Sequence, residues 1–325
     1  MQQSSYVVVS VVAFLPLLCA TFPLIWRDCQ ILEMSHDLAN DTIVYPLEGY
    51  MNNRFQLNTL TDGTVGLKNH EYYLHDNTFS SVDHVGTHMD APRHILRTIE
   101  EAENATTVDQ VPLTSLVGEA CVIKVPESQR TNKDYLITVT DVKEWELKHG
   151  ELSENCIIIV DSARAQYWGN IKEYLGSDDP THVDPSSGDP DKMHWPALHW
   201  DTAKWILENR GLKAVGQDAM SADYGQMVKY RDSVHAVILG ANKPILENLN
   251  NVNKLPARGA TIIALPMRIR HSSGAPVRVM AIGWNGESDP CKVVYSTALR
   301  EKFDLYLIAF TFIVILICVL VIRMR

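Results

Sequence analysis

The chain has 325 residues, 46% of them hydrophobic and 21% charged, a balance that belongs to globular proteins and excludes extensive disorder. Its formal net charge of −10 argues against a nucleic-acid partner, because phosphate backbones are held by basic surfaces. The length admits one large domain or two ordinary ones, and neither a glycine-rich phosphate loop nor an internal repeat is present in the sequence.

Residues 6–20 (YVVVSVVAFLPLLCA) have the length and position of a signal-peptide core, with Leu18-Cys19-Ala20 as a small-residue cleavage point. The residues before them carry no Lys or Arg, so an uncleaved anchor is the alternative. At the other end, residues 305–322 (LYLIAFTFIVILICVLVI) run without a charge and stop at Arg323-Met324-Arg325. A span needs roughly 20 apolar residues, and flanking positive charge favours the cytoplasmic side. Ser296-Thr297-Ala298 keep a glycolipid-anchor signal as the competitor, against which the terminal arginines count. The expected organisation is a signal peptide over 1–20, an extracytoplasmic domain over 21–302, and a transmembrane helix with a short cytoplasmic tail over 303–325. Sequons at Asn40 and Asn104 fit glycosylation in that compartment. Outside the two terminal apolar runs lie Cys29, Cys121, Cys156 and Cys291, an even number that suits an oxidising environment. Their pairing stays open, and Cys121 and Cys156 also read as free buried thiols.

Between the ends, β-branched runs at 120–125 (ACVIKV), 156–160 (CIIIV), 235–239 (HAVIL), 260–265 (ATIIAL) and 277–284 (VRVMAIGW) read as buried strands. A helix is expected after a Thr140 cap, through Trp145 and Leu147 to Gly150. A second runs from about Asp201 to Asn209, with Ala203, Ile206 and Leu207 on one face. The mixture is α/β, or more loosely mixed α+β, in one domain from about residue 28 to 300. Residues 176–195 (GSDDPTHVDPSSGDPDKMHW) read as a long acidic loop.

Residues 84–94 (HVGTHMDAPRH) concentrate His84, His88, Asp90 and His94 around a glycine and a proline. Gly86 and Pro92 disfavour a regular helix, so the side chains would converge from a turn. Two imidazoles and a carboxylate suit a divalent ion such as zinc or manganese, one or two per chain, with positions left for water and substrate. His94 suits proton transfer, because an unperturbed imidazole titrates near ambient pH, and Arg93 stands beside it. Residue types alone leave the remaining ligands open among His182, His194, His199, His235, His271 and several carboxylates. Trp168, Trp195 and Trp200 are candidates for an aromatic pocket or for the core.

This stretch resembles the signature of the metal-dependent cyclase family, which includes bacterial kynurenine formamidase and isatin hydrolase. The family pattern is His-x-Gly-Thr-His-x-Asp-x-Pro-x-His, and every fixed position is filled. Met34-Ser35-His36-Asp37-Leu38 resembles the family's opening strand, 118–126 (GEACVIKVP) the strand after the motif, and 215–223 (VGQDAMSAD) the segment Gly-x-Asp-x-x-Ser-x-Asp, with Gln217 where small hydrophobic residues are common. His235 followed twelve positions on by Glu247 has the formamidase spacing. The resemblance implies a swivelling β/α domain, a homodimer or homotetramer, and hydrolysis of a non-peptide C–N bond. His84, His88 and Asp90 would hold a first metal, Asp90 would bridge to a second held by His235 and Glu247, and His94 would be the acid/base. The substrate would be a small aromatic amide: an aryl formamide such as N-formylkynurenine, or a cyclic amide. A lactone hydrolase and a catalytically silent binding ectodomain are the rival expectations.

Overall fold

A computed structural model describes residues 31–67, 70–179, 193–226 and 232–283. The expectations for 1–20 and 303–325, for Cys29 and Cys291, and for the middle of the 176–195 loop fall outside the described residues. No helix among the described residues is long and apolar enough to cross a membrane.

In chain order the elements are β1 (Ile31–Glu33), α1 (Glu48–Asn52), β2 (Gln56–Leu67), β3 (His70–Ser80), β4 (His88–Asp90), α2 (Ile99–Asn104), β5 (Val117–Lys124), β6 (Leu136–Ile137), α3 (Val139–His149), β7 (Cys156–Asp161), α4 (Ile171–Leu175), β8 (Ala197–Leu198), α5 (Trp200–Asn209), β9 (Ala214–Gln217), α6 (Val234–Gly240), β10 (Ile245–Glu247), β11 (Thr261–Pro266) and β12 (Gly274–Ile282). Short 3₁₀ turns fill several of the connections.

The main sheet has the order β1-β12-β11-β5-β7-β9-β10-β4, and β4 pairs again with β12, so the sheet curls into a barrel-like ring. One edge of β12 is shared: its first residues, Gly274 to Pro276, meet β4, and its last, Met280 to Ile282, meet β1. Strands β5, β7, β9 and β10 are parallel neighbours, and the other pairings are antiparallel. Strand β7 (CIIIVD) is buried at all six positions, as a central parallel strand covered on both faces should be. Its Cys156, Ile158 and Val160 join Val142 and Trp145 of α3, Ala203 and Ile206 of α5, and Val234 and Ile238 of α6 in one apolar layer. Ile157 and Ile159 point the other way and are equally inaccessible. Trp145 anchors α3 further by donating its indole N–H to the Val122 carbonyl at 2.8 Å.

Four of the five expected strands lie in β5, β7, β11 and β12. The run 235–239 does not form a strand: it is the body of α6. Five apolar residues fit either element, and the flanking chemistry decides. The Ser233 hydroxyl accepts the Ala236 N–H, and the Asp223 carboxylate accepts that of Val234, so both satisfy donors of a helix start. The cap of α3 is Thr138, not Thr140; its hydroxyl and Asp141 form a reciprocal capping box. Trp145 is buried as expected while Leu147 faces solvent. β1 ends at Glu33, one residue before the segment expected to be the opening strand, although Met34 still donates to the Val279 carbonyl. Cys121 and Cys156, on adjacent parallel strands with Cα atoms 5.8 Å apart, form a disulfide.

Candidate metal centre

The register of β4 builds the site. His88 and Asp90 are two residues apart on one strand and so project from the same face. Glu247 of β10 is the direct partner of His88, which brings its carboxylate alongside. On the other edge of β4, Pro276 faces His88 and Gly274 faces Asp90. His84 arrives from the turn before β4, where Gly86 has φ +57°. A side chain at Gly86 would also collide with Leu38, so the bend requires glycine. His235 enters from the first turn of α6.

All of these side chains meet. Asp90 Oδ1 lies 3.3 Å from His84 Nε2 and 3.2 Å from His88 Nε2, while Asp90 Oδ2 lies 3.2 Å from His235 Nε2. Glu247 reaches His235 Nε2 at 3.1 Å with one oxygen and His88 Nε2 at 3.4 Å with the other. The His94 ring stacks on His84 at 3.8 Å between centroids and stands 5.9 Å from His235. Two groupings present ligand atoms close enough to share an ion, His84–Asp90–His94 and His88–Asp90–Glu247, and Asp90 belongs to both. A third, Glu119 with Cys121 and Cys156, has its two sulfurs tied in the disulfide.

A second ring of contacts fixes the three imidazoles. Nδ1 of His84 is 2.7 Å from Asp83, Nδ1 of His88 is 3.0 Å from the Gly86 carbonyl, and Nδ1 of His235 is 2.7 Å from Asp223. Each Nδ1–H therefore has an acceptor behind it, and each Nε2 lone pair is turned inward, the arrangement metal-binding histidines use. Asp83 is steadied by the Ser272 hydroxyl, and Glu247 by the Ala222 N–H at 2.7 Å. Nε2 of His84 and Oδ1 of Asp90 are buried with no hydrogen-bond partner. Such orphans are costly unless something else satisfies them. Inward imidazole nitrogens with carboxylate oxygens fit a divalent cation of the zinc or manganese type.

In the chain alone, the buried carboxylates favour positive charge within the cluster. Burial opposes charge on His88, but Asp90 and Glu247 outweigh it and lift its pKa to about 10. His235 is raised against its own burial, chiefly by Asp223. Asp90 is held below the carboxylate range, despite burial, by His94, His88 and His235. His94 is pushed down to about 4 by burial, which the Asp90 charge only partly offsets. Two phenols stand near the cluster: Tyr45 and Tyr50 are each raised to about 12 by burial and by the neighbouring carboxylates.

The six residues expected at the site, His84, His88, Asp90, His94, His235 and Glu247, thus share one cluster. Of the other histidines, His194 pairs with Asp134 at 2.9 Å, His199 caps α5, and His271 lies on the exposed surface; His182 is outside the described residues. Arg93 is exposed. Trp195 is a core residue whose indole N–H donates to the Ser221 and Asp223 carbonyls. Trp200 stacks near His199, and Trp168 stacks on His36 at 4.1 Å beside a cavity of about 420 Å³ that the metal cluster does not line. Sequence reasoning missed Asp83, Asp223, Tyr45 and Tyr50. An acid immediately before the motif and the closing Asp of Gly-x-Asp-x-x-Ser-x-Asp were the available signals for the first two. Nothing in the spacing marked the tyrosines.

The Cyclase family model matches residues 32–224. His235 and Glu247 lie beyond that stretch, and the β4–β10 register and α6 are what bring them in. An isatin hydrolase of Roseibium aggregatum is 27% identical over 202 residues, 62% of this chain and 72% of its own. Among solved structures, isatin hydrolase A of Ralstonia solanacearum superposes with a TM-score of 0.67 at 22% identity, covering 87% of this chain and 99% of that one. Isatin hydrolase A of Labrenzia aggregata, bound to benzyl benzoate, gives 0.65 at 24% identity, with 83% and 98% covered. The structural likeness is one of fold, while the family match takes in the whole of the 84–94 motif. It spans more than half of the 325 residues, and the chain belongs to the Cyclase family.

Proposed function

We propose that this protein is a metal-dependent hydrolase of a non-peptide C–N bond, acting on an aryl formamide or a cyclic amide. The observation that carries the reading is the set of three imidazoles, each braced at Nδ1 and presenting a bare Nε2 to Asp90 or Glu247, with His94 stacked on its edge. His84, His88 and Asp90 would hold one ion, and Asp90, His235 and Glu247 a second. When bound, a divalent cation supplies a Lewis acid that polarises a carbonyl and makes water acidic enough to serve as nucleophile near neutral pH. His94 is neutral at pH 7 and takes the proton from the attacking water as the C–O bond forms. It returns that proton to the leaving nitrogen as the C–N bond breaks. Asp83 and Asp223 keep the ligand rings from turning throughout. The isatin hydrolase relative supports a cyclic amide as the substrate class.

The reading extends to placement. A membrane-anchored chain with this domain outside the cytoplasm accords with the Cys121–Cys156 bridge and with the exposed asparagines of both sequons, Asn40 and Asn104. A homodimer accords with the exposed β2–β3 hairpin.

The test is elemental analysis of the purified protein together with turnover of a formanilide and a cyclic anilide. Bound zinc or manganese, activity lost to a chelator and restored by metal, and a His94→Ala variant that keeps its metal but not its turnover are expected. A metal-loaded protein that hydrolyses neither amide would overturn the proposal.

A further inference from the structure

Two tyrosines near the metal cluster find no hydrogen-bond acceptor for their hydroxyls among the described residues. Tyr50 lies on α1, and Tyr45 precedes it by five residues, immediately before Pro46, so one short segment carries both. The Tyr50 ring packs against the small cluster of Val44, Phe55 and Val85, with its centroid 6.4 Å from that of His84. After burial, the carboxylates of Asp90, Asp83 and Glu247 do most to hold its hydroxyl protonated. The Tyr45 ring packs on the cluster of Ile43, Tyr174 and Met220, and its charged neighbours are Glu247, Asp223 and His235. Tyr50 therefore stands beside His84, and Tyr45 on the side of Met220, two residues before the Ala222 N–H that holds Glu247.

Two other packed phenols spend their hydroxyls: Tyr174 donates to Asn248 at 2.7 Å and Tyr135 to Asp141 at 2.9 Å. Neither Tyr45 nor Tyr50 has a hydrogen-bond partner among the described residues, and neither ring is fully inaccessible. Phenylalanine would pack as well at either position without bringing an unspent donor to a confined site. A phenol is protonated at neutral pH and offers an O–H. Ligand carboxylates cannot be its intended acceptors if they are to face cations. What remains is an oxygen that arrives with the substrate.

We propose that Tyr50 and Tyr45 are the substrate-positioning donors of this site. Tyr50 meets the carbonyl oxygen of the scissile amide, since the proton carrier His94 stacks on His84, the ring beside which Tyr50 stands. Tyr45 holds a second acceptor oxygen on the far side of the bond. The inference rests on the hydrolase reading above.

The test is Tyr50→Phe and Tyr45→Phe in the full-length, metal-loaded protein, each removing a single unpartnered oxygen. Three readouts apply: metal content, steady-state hydrolysis of a cyclic anilide, and calorimetric binding of 2-aminobenzoate, a product-like carboxylate. Unchanged metal content is expected in both variants. Tyr50→Phe should lower kcat by about 10- to 100-fold, the scale of losing one donor to a developing oxyanion. Tyr45→Phe should raise KM by about 5- to 10-fold with kcat nearly unchanged, the scale of one neutral hydrogen bond. Both should weaken 2-aminobenzoate. Turnover and binding within twofold of the parent in both variants would overturn the assignment and leave the hydrolase reading standing. If the parent hydrolyses no amide at all, the hydrolase reading falls; the assignment of the phenols then stands or falls on whether 2-aminobenzoate binding weakens.

Discussion

A β-carbon on Gly274 would stand 2.3 Å from Nε2 of His84. Gly274 is the register partner of Asp90, so the start of β12 runs across the floor of the cluster and only a bare Cα leaves room for the imidazole. The colliding group is a side chain, which can swing away, and the sheet need not shift. Gly274→Ala should therefore fold normally and lose metal affinity by tenfold or more, as a ligand imidazole is displaced. Competition with a chromophoric chelator measures it; an unchanged dissociation constant would remove His84 from the ligand set.

Asp223 acts at one remove. Its carboxylate accepts the Val234 N–H at the start of α6 and holds Nδ1 of His235 at 2.7 Å. One residue thus fixes both the helix and the ring it presents. Asp223→Asn keeps the shape but weakens the charge-assisted bond to the imidazole and can favour the wrong tautomer. Metal affinity should fall by about 10- to 100-fold, with one ion leaving before the other. Titration of the metal-free protein with zinc shows this as a split into a strong and a weak step. A single unsplit transition would mean that His235 shares its ion with the other histidines.

The difference between what was legible and what was not follows from the range over which each signal acts. His84, His88, Asp90 and His94 sit within eleven residues, and the turn at Gly86 is local, so their convergence could be read from the sequence. Strands β5 and β7 were equally legible, because unbroken apolar runs of β-branched residues have few alternatives. His235 and Glu247 were reachable only through family spacing. Their meeting with His88 depends on a β4–β10 register set more than 150 residues apart in the chain. The helix α6 was misread as a strand because its identity rests on Ser233 and on Asp223, the latter eleven residues upstream of Val234, and not on its own apolar pattern. Tyr45 and Tyr50 carry no periodic or motif signal, and only the folded path of residues 44–52 puts them near the metal cluster.

His36 gives the fold a pH dependence of its own. Its ring stacks on Trp168 with 9° between planes, Nε2 is buried without a partner, and burial lowers its pKa to about 4. The unfolded chain takes up a proton near pH 6.5, while the folded chain resists until about pH 4. Stability is therefore lost as pH falls from 6.5 towards 4, and regained above 6.5. Allowing for the part-exposed ring, the loss is about 2 kcal/mol. His36→Phe keeps the stack and removes the titration. Urea unfolding at pH 7.5 and 4.5 should show a smaller drop for the variant by about that amount; equal drops in the two proteins would show that His36 takes up its proton without cost.

The β2–β3 hairpin forms a separate two-stranded sheet. It projects Leu60, Tyr73 and Phe79 at 68%, 71% and 57% exposure. Register places Val65 and Tyr72 on one face with Leu74, and Leu57 and Phe79 on the other with Tyr73. A lone hairpin is marginally stable in water, and this one shows apolar groups on both faces, so each face calls for cover. We predict that a second copy of the chain, clasping arm to arm about a twofold axis, would cover both. The hairpin leaves the chain between Tyr50 and His84, so dimerisation through it would bear on the order of the segment proposed to face substrate. Tyr73→Ser with Phe79→Ser should convert a dimer into a monomer in sedimentation velocity and lower turnover while leaving the metal bound. A parent protein that sediments as a monomer, or a variant that remains dimeric, would exclude the hairpin as the dimer contact.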